Sequence, residues 1–486
     1  MPRSGQAARS EFVSAISRRG PIPIYRQIYD RVRHGIASGT LHPGSRLPSA
    51  RNLASDLGIA RGTVEDAYGL LLAEGYIERH AQAGTVIAQL LDDSAAWTRL
   101  VAPPATGQMP RTATDVSADR PFSPFQLGQP AFDAFPRAAW ARLIARHARA
   151  PIAAGAGHPD HTGYFPLRIA IARYLGLSRG VVCAPEQVLI TNGYQAAINL
   201  IGRNLLRDRD EVWFEEPGYP FARNALRANG AKLVAVRVDN DGMRVTDGIA
   251  AAPKARLVVT TPAHQSPLCV ALSLPRRLQL LEWARLQKAW IVEDDYDGEF
   301  HYGGRPLPAL KSLDRSDRVI YAGSFSKTLL PELRLGYLVV PLELVEKLTT
   351  ASMASSAAPG RLMQAVTSEF LESGHFARHV HRMRHLYAER RSVLADELKR
   401  AFGDLISLDV QQGGMHLVAK LHRSCNDLSV AKRAAAAGLA LQPLSATYMK
   451  RTRQQGMLLG FTNVPKNKAA SLCRKLRRCL FEPITK

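Results

Sequence analysis

The run Val319-Ile320-Tyr321-Ala322-Gly323-Ser324-Phe325-Ser326-Lys327 reads as a buried strand that ends in two hydroxyls and a lysine, with Arg334 seven residues further on. A lysine at that exit is a candidate carbonyl-trapping amine beside an anion. Such an amine forms a Schiff base with pyridoxal phosphate, whose ring then acts as an electron sink. A solvated lysine at an ordinary strand end is the alternative. The choice depends on what the other strand ends carry.

Working outward, apolar runs at 188–191, 211–214, 233–236, 257–260, 290–293, 319–323 and 335–339 alternate with helical segments. That alternation predicts a mostly parallel sheet covered on both faces. Ligands of such sheets lie beyond the carboxyl ends of the strands. After 188–191 comes Asn192-Gly193-Tyr194-Gln195, opening a helix over 196–206. A glycine turn into a helix N-terminus offers N–H groups and a positive dipole end to a phosphate, although the same pattern also makes an ordinary turn. After 211–214 comes Glu215-Glu216-Pro217-Gly218-Tyr219, where Tyr219 can lie flat against an aromatic ring. After 257–260 comes Thr261-Pro262-Ala263-His264-Gln265, whose polar groups can reach a ring hydroxyl. After 290–293 comes Asp294-Asp295-Tyr296-Asp297. An aspartate at the end of an apolar strand is costly to bury unpaired. A protonated pyridine nitrogen offsets that cost and keeps the ring electron-poor; a helix cap or surface turn is the alternative for Asp294.

The first ninety residues follow a different pattern. Tyr25, Ile28, Tyr29, Val32 and Ile36 recur at helical spacing, and Gly39 stops that helix. A short helix follows Ser49, a candidate N-cap, carries Leu53 and Leu57 inward and ends at Gly58. A third starts near Arg61 with Val64, Ala67, Tyr68, Leu71 and Leu72 as its buried stripe, leaving Arg61, Gly62, Thr63, Glu65 and Asp66 outside. Strands over 76–79 and 85–88, joined through Gln82-Ala83-Gly84, complete a winged helix-turn-helix whose last helix enters the major groove.

The totals agree with two or more domains. At 486 residues the chain exceeds what one core supports, and 46% apolar with 22% charged residues is the balance of a globular protein. The net charge of +22 favours a polyanionic partner such as nucleic acid. No stretch is apolar enough for a membrane helix, and the polar N-terminus lacks the apolar core of a secretory signal. Five scattered cysteines without metal spacing fit a reducing cytosol, and no metal site is expected.

Two resemblances rest on these residues. Gly44-Ser45-Arg46-Leu47-Pro48-Ser49-Ala50-Arg51, Leu53-Ala54 and Gly58-Ile59-Ala60-Arg61-Gly62-Thr63-Val64 resemble the GntR-type DNA-binding domain. The resemblance implies that Arg51 and Arg61 touch phosphate or bases, with Ser49, Thr63 and the wing glycine Gly84 at contact positions. Arg46 and Gly62 complete the candidate set. Glu65 departs from it, since an acid on that face repels phosphate unless it accepts from a cytosine amino group.

The second resemblance covers about 18–461. Glu215-Glu216-Pro217-Gly218-Tyr219-Pro220, Glu293-Asp294-Asp295-Tyr296-Asp297-Gly298-Glu299-Phe300, Gly304-Arg305-Pro306-Leu307-Pro308-Ala309-Leu310 and Ser324-Phe325-Ser326-Lys327-Thr328 resemble the fold-type I aminotransferases. The match is in particular to the MocR group of GntR-type regulators. It implies a Schiff base on Lys327, Asp294 on the pyridine nitrogen, Tyr296 on the ring hydroxyl and Tyr219 stacked on the ring. Gly193, Tyr194, Ser324, Ser326 and Arg334 would hold the phosphate. Aminotransferases also clamp the substrate carboxylate with an arginine near the C-terminus. The comparable stretch here, Gly456-Met457-Leu458-Leu459-Gly460-Phe461, has none, with Arg451 and Arg453 nearby. His158 stands in place of a tyrosine, and Leu268-Cys269 in place of a small polar pair.

The expected architecture is a flexible tail (1–19), a winged helix-turn-helix (20–90) and a linker (91–120) holding Pro103-Pro104, Pro110 and Trp97. An α/β aminotransferase-like domain (121–342) and connecting helices with a smaller C-terminal α+β subdomain (343–486) follow. The expected function is a cytoplasmic transcriptional regulator that binds an operator in double-stranded DNA and senses pyridoxal phosphate, an amino acid or an amine. Forming the Schiff base, or exchanging it with an amine ligand, would favour one arrangement of the heads. The resemblance implies a homodimer, with heads packed on the other subunit as one option. The rivals are a working aminotransferase with an accessory DNA-binding domain, and a DNA-binding protein with a cofactor-free domain.

Overall fold

A computed structural model describes residues 17, 22–80, 84–88, 123–149, 160–303, 308–355, 360–422, 425–450 and 454–481. The linker with Trp97, most of the N-terminal tail, His158, Gly304 to Leu307, and Arg451 and Arg453 lie outside the described residues. Two compact units separate within the chain, 1–120 and 121–486.

In the first unit α1 (Ile24–Ala37), α2 (Ala50–Leu57) and α3 (Arg61–Ala73) precede an antiparallel pair, β1 (Ile77–His80) and β2 (Gly84–Ile87). Ser49 accepts a hydrogen bond from the Asn52 N–H and so caps α2, and Gly58 ends it in the left-handed conformation that glycine adopts without strain. Ile28, Val32, Leu53, Val64, Leu71 and Ile87 form one sealed core. At about 1.5–3 kcal/mol per buried aliphatic side chain, that core is what a small head needs to fold. Tyr25 (37% exposed) and Leu72 (39%) do not join it, contrary to the sequence expectation. The stripe of α3 runs 64, 67, 68, 71, and residue 72 falls about 100° round the helix from 71.

The second unit carries a sheet of eight strands in the order β3-β10-β9-β8-β7-β4-β5-β6. The chain runs through α4 (Arg137–Arg149), α5 (Phe165–Arg179), β3 (Val188–Thr191), α6 (Tyr194–Leu205), β4 (Glu211–Glu216), α7 (Pro220–Ala228), β5 (Lys232–Asp239) and β6 (Gly242–Met243). It continues through α8 (Val245–Ala251), β7 (Leu257–Thr260), α9 (Leu274–Gln287), β8 (Trp290–Asp295), α10 (Leu310–Leu313), β9 (Val319–Ser324) and β10 (Gly336–Val339). The five strands β5, β4, β7, β8 and β9 are parallel, whereas β10 runs antiparallel to both β3 and β9. Successive residues serve opposite faces: Ile291 packs with Trp213, Leu280 and Val319, while Val292 packs with Ile198, Leu226 and Ile320. Apolar cover on both faces explains why these strands read as unbroken apolar runs.

Helices α11 (Val345–Ser355), α12 (Arg361–Glu372) and the long α13 (His375–Phe402) lead to a smaller subdomain. There β11 (Ile406–Asp409), β12 (His416–Leu421), β13 (Gln442–Pro443) and β14 (Gly456–Gly460) form an antiparallel sheet with α14 (Asp427–Ala436) and α15 (Lys466–Phe481). Tyr387, Leu394, Leu417, Leu459, Phe461 and Leu476 fill its core, joined by Phe125 and Phe300 from far earlier in the chain. Among the described residues no helix is long and apolar enough to cross a membrane.

Candidate functional site

The ends of β3, β10 and β9 are brought level by register. Thr191 pairs with Gly336, and Gly336 with Ser324, so the loops that leave these strands share one corner. Gly193 there opens α6 at φ +78°, and a Cβ on Gly336 would stand 3.0 Å from its carbonyl carbon. Only glycines allow this approach. Ser324 accepts a hydrogen bond from the Ser326 N–H at 3.1 Å. Arg334 stands exposed in the left-handed region at φ +49°. Helix N–H groups, two hydroxyls and an arginine make a cradle for a dianion.

At the other end lies Asp294, buried, its carboxyl pushed well up first by burial and then by Asp295, Asp297 and Glu215, with Tyr194 acting against them. The Tyr194 phenol stands beside it without a well-formed hydrogen bond. A cation at this carboxyl would reverse the burial cost. Tyr219 spans the two ends. Its phenol is pushed up to about 12, chiefly by burial and then by Asp294, with Arg334 acting against it.

Between these ends sits the Lys327 amine, half-buried, donating a hydrogen bond to the Gly128 carbonyl at 3.0 Å. Burial lowers its pKa, while Asp297 and Asp294 act in the opposite sense. A Cβ on Gly128, at φ +66°, would stand 2.2 Å from that amine. Tyr296 Oη and Asp297 Oδ2 are both buried and neither makes a well-formed hydrogen bond, although the phenol stands beside the Asp297 carboxylate. Orphaned buried polar atoms are rare enough to mark a missing ligand. A planar ring with a phosphate, a hydroxyl and a basic nitrogen would satisfy this set, with the cradle on the phosphate, Asp294 on the nitrogen and Tyr296 on the hydroxyl. The residues present fit pyridoxal phosphate.

His264 is also here, but it reaches the site through Asp297. Its Nδ1 donates to Asp297 Oδ1 at 3.0 Å, and its other ring nitrogen faces Gly413, where a Cβ would come within 1.8 Å. Three further groups were not singled out from sequence: Asp297 itself, Gly128, and His416, which donates to the Pro267 carbonyl at 2.8 Å. Gly128 lies 199 residues from Lys327, so no local pattern could reveal it. Cys269, one of the departures noted in the sequence, is buried at φ +59° with its Sγ 3.3 Å from His416 Nε2.

Two neighbouring glutamates serve the scaffold. Glu215 accepts from Thr260 and Thr261 hydroxyls (both 2.6 Å), the Thr261 N–H and Gln265. Glu216 accepts from the N–H groups of Met449 and Lys450, tying β4 to the loop after β13.

In the first unit Arg46, Ser49, Arg51, Arg61, Gly62 and Gly84 are exposed and Thr63 is half-buried. Arg46 forms a β-bridge to Val86 through its backbone. Arg61 opens α3, and its Nε donates to Glu65 at 2.8 Å, so the acid that looked repulsive in the sequence is neutralised on its own helix.

Known proteins repeat this two-part arrangement. Residues 24–87 match the model of the bacterial regulatory proteins of the gntR family, and 126–458 match aminotransferase class I and II. The chain is 40% identical over 456 residues to a probable rhizopine catabolism regulatory protein, MocR, of Rhizobium meliloti, covering 92% of both chains. It is 32% identical to the pyridoxine biosynthesis regulator PdxR of Corynebacterium glutamicum, covering 92% of this chain and 94% of that one. A kynurenine aminotransferase from Pyrococcus horikoshii superposes with a TM-score of 0.69 at 26% identity, covering 76% of this chain and 93% of that one. LysN, an α-aminoadipate aminotransferase from Thermus thermophilus, superposes at 0.67 with 29% identity over 73% of this chain and 91% of its own.

Proposed function

We propose, for a chain that belongs to the MocR-type group of GntR-family transcriptional regulators, that its aminotransferase-like domain senses an amino-bearing effector through pyridoxal phosphate at Lys327 and does not sustain turnover. The observation that carries this is the Lys327 amine, desolvated and set between an anion cradle and an unpaired buried aspartate. Pyridoxal phosphate, when bound, supplies a carbonyl carbon and an electron-poor ring. Burial favours the neutral, nucleophilic form of Lys327, and Asp294 holds its charge opposite the pyridine nitrogen. Tyr296 donates its hydroxyl proton's hydrogen bond, Tyr219 lies along the ring, and Gly193, Tyr194, Ser324, Ser326 and Arg334 fix the phosphate. Arg46, Ser49, Arg51, Arg61, Gly62, Thr63 and Gly84 read the operator, with Arg61 oriented by Glu65.

A cytoplasmic homodimer suits paired half-sites on DNA, and free cysteines suit that compartment. The domains follow as a head over 20–90, a tether over 91–120 and a sensor over 121–486. The purified protein should be yellow, and borohydride should fix the chromophore to Lys327 in the wild type only, with Lys327→Ala as control. Operator titration at fixed salt should shift with pyridoxal phosphate or amines, and not in Lys327→Ala. A colourless protein, or steady amino-group transfer to an oxo-acid, would overturn the reading.

A further inference from the structure

Strand β14 presents its residues alternately. Met457 and Leu459 enter the core of the small subdomain, while Leu458 faces the other way. The register Val418–Leu458 and His416–Gly460 places Leu458 on the face that carries His416. His416 in turn touches Cys269 and Pro267 at the cofactor site.

Leu458 belongs to an apolar cluster. Val418, Leu444 and Leu458 are buried together, and Leu127, Leu268 and Tyr448 pack against them while each keeps part of its surface open. Leu127 immediately precedes Gly128, the acceptor of the Lys327 amine, and Leu268 immediately precedes Cys269. Two members of this apolar cluster are thus next in the chain to residues that touch the Lys327 amine or His416.

The charges around that nitrogen point the same way. The carboxylates of Asp297 and Asp294 act on the Lys327 amine, and the His416 ring is within its electrostatic reach, with burial first among the causes that lower the pKa of His416. Asp297 Oδ2 is buried without a well-formed hydrogen bond, an acceptor that suits an incoming ammonium. A carboxylate next to the reacting amine would meet two like charges and a hydrocarbon surface, which is costly without a cation or N–H donor.

We infer that the effector is a primary amine without a carboxylate, carrying an apolar aliphatic or aryl group that lies against Leu127 and Leu268, with Leu458 buried behind them. The inference rests on the proposal that pyridoxal phosphate is held at Lys327. The effector nitrogen replaces the Lys327 nitrogen on the cofactor's carbonyl carbon. One C–N link forms as the other breaks, and the proton shed by the incoming ammonium ends on the freed lysine.

The test uses phenethylamine and phenylalanine, which differ only in the carboxylate, against the full-length protein loaded with pyridoxal phosphate. The readout is the visible band of the bound cofactor. Phenethylamine should perturb that band at a concentration at least tenfold lower than phenylalanine does. Leu458→Arg should narrow or reverse the order, and Leu268→Arg, at a half-buried position, makes the same test if the first variant does not fold. Equal or better response to phenylalanine in the wild type, or no response to either compound, overturns the inference while the band itself leaves the cofactor reading standing. Absence of any bound cofactor removes the underlying reading instead.

Discussion

Asp294 and Asp295 are consecutive on β8 and leave it toward opposite faces, and they differ in whether a cation meets them. Asp295 is enclosed by Arg179, whose Nε donates to it at 2.7 Å, and by the Tyr321 hydroxyl at 2.6 Å. Asp294 is equally buried and, among the described residues, forms no ion pair, its carboxyl pushed up chiefly by burial. A buried charge that is already paired belongs to the scaffold. One that waits for a cation marks where a ligand completes the structure. Glu215, with its four donors, falls on the scaffold side although it too closes a strand.

Breaking the scaffold side should have the largest effect. Arg179→Ala leaves Asp295 buried and unpaired, so it should destabilise the large unit by about 3–5 kcal/mol, read from the urea midpoint. Asp294→Asn should do the reverse. The cofactor-free protein should be as stable as wild type or more so, while retention of pyridoxal phosphate on dilution weakens by about 1.5–3 kcal/mol. Equal loss of stability in both variants would erase the distinction between the two faces.

The back face also carries a pH signature. Glu293, which accepts from the N–H groups of Leu310 and Lys311, is pushed up to about 7, first by burial and then by Asp295. Between about pH 4.5 and 7 the folded state holds a proton that the unfolded chain has released, so stability falls as pH rises through that window. Glu299, also pushed up to about 7, acts in the same direction. Glu293→Gln should therefore reduce the slope of stability against pH without abolishing it, measured by urea unfolding at pH 5 and 7. The smallest effect belongs to Tyr296→Phe. Removing a hydroxyl that makes no well-formed hydrogen bond should leave stability nearly unchanged and weaken cofactor retention by about 1 kcal/mol.

Much of the fold was legible because its signals are local. The strands at 188–191 and 257–260 fall where their apolar runs end, and Ser49 and Gly58 bound α2 as their chemistry requires. Other strands run a little past their apolar residues: β4 includes Glu215 and Glu216, and β8 includes Asp294 and Asp295. A pattern of apolar residues cannot announce that a strand continues through carboxylates, because only the pairing of β8 with β9 at Asp294–Ala322 and Asp295–Gly323 extends it. Tyr25 and Leu72 show the opposite error, since an apolar residue need not be buried at the edge of a helical stripe.

By itself, then, the sequence determined the kinds of element, the two-part division and the residue types able to hold a phosphate, a ring and a carbonyl. These depend on periodicity, caps and side-chain chemistry, all written within a few residues of one another. Tertiary structure decided which of two adjacent aspartates is paired, that Gly128 receives the Lys327 amine, and that Leu458 is buried in one apolar cluster with Leu127 and Leu268. Burial and pairing are sums over neighbours drawn from distant parts of the chain, and only the folded packing performs that sum.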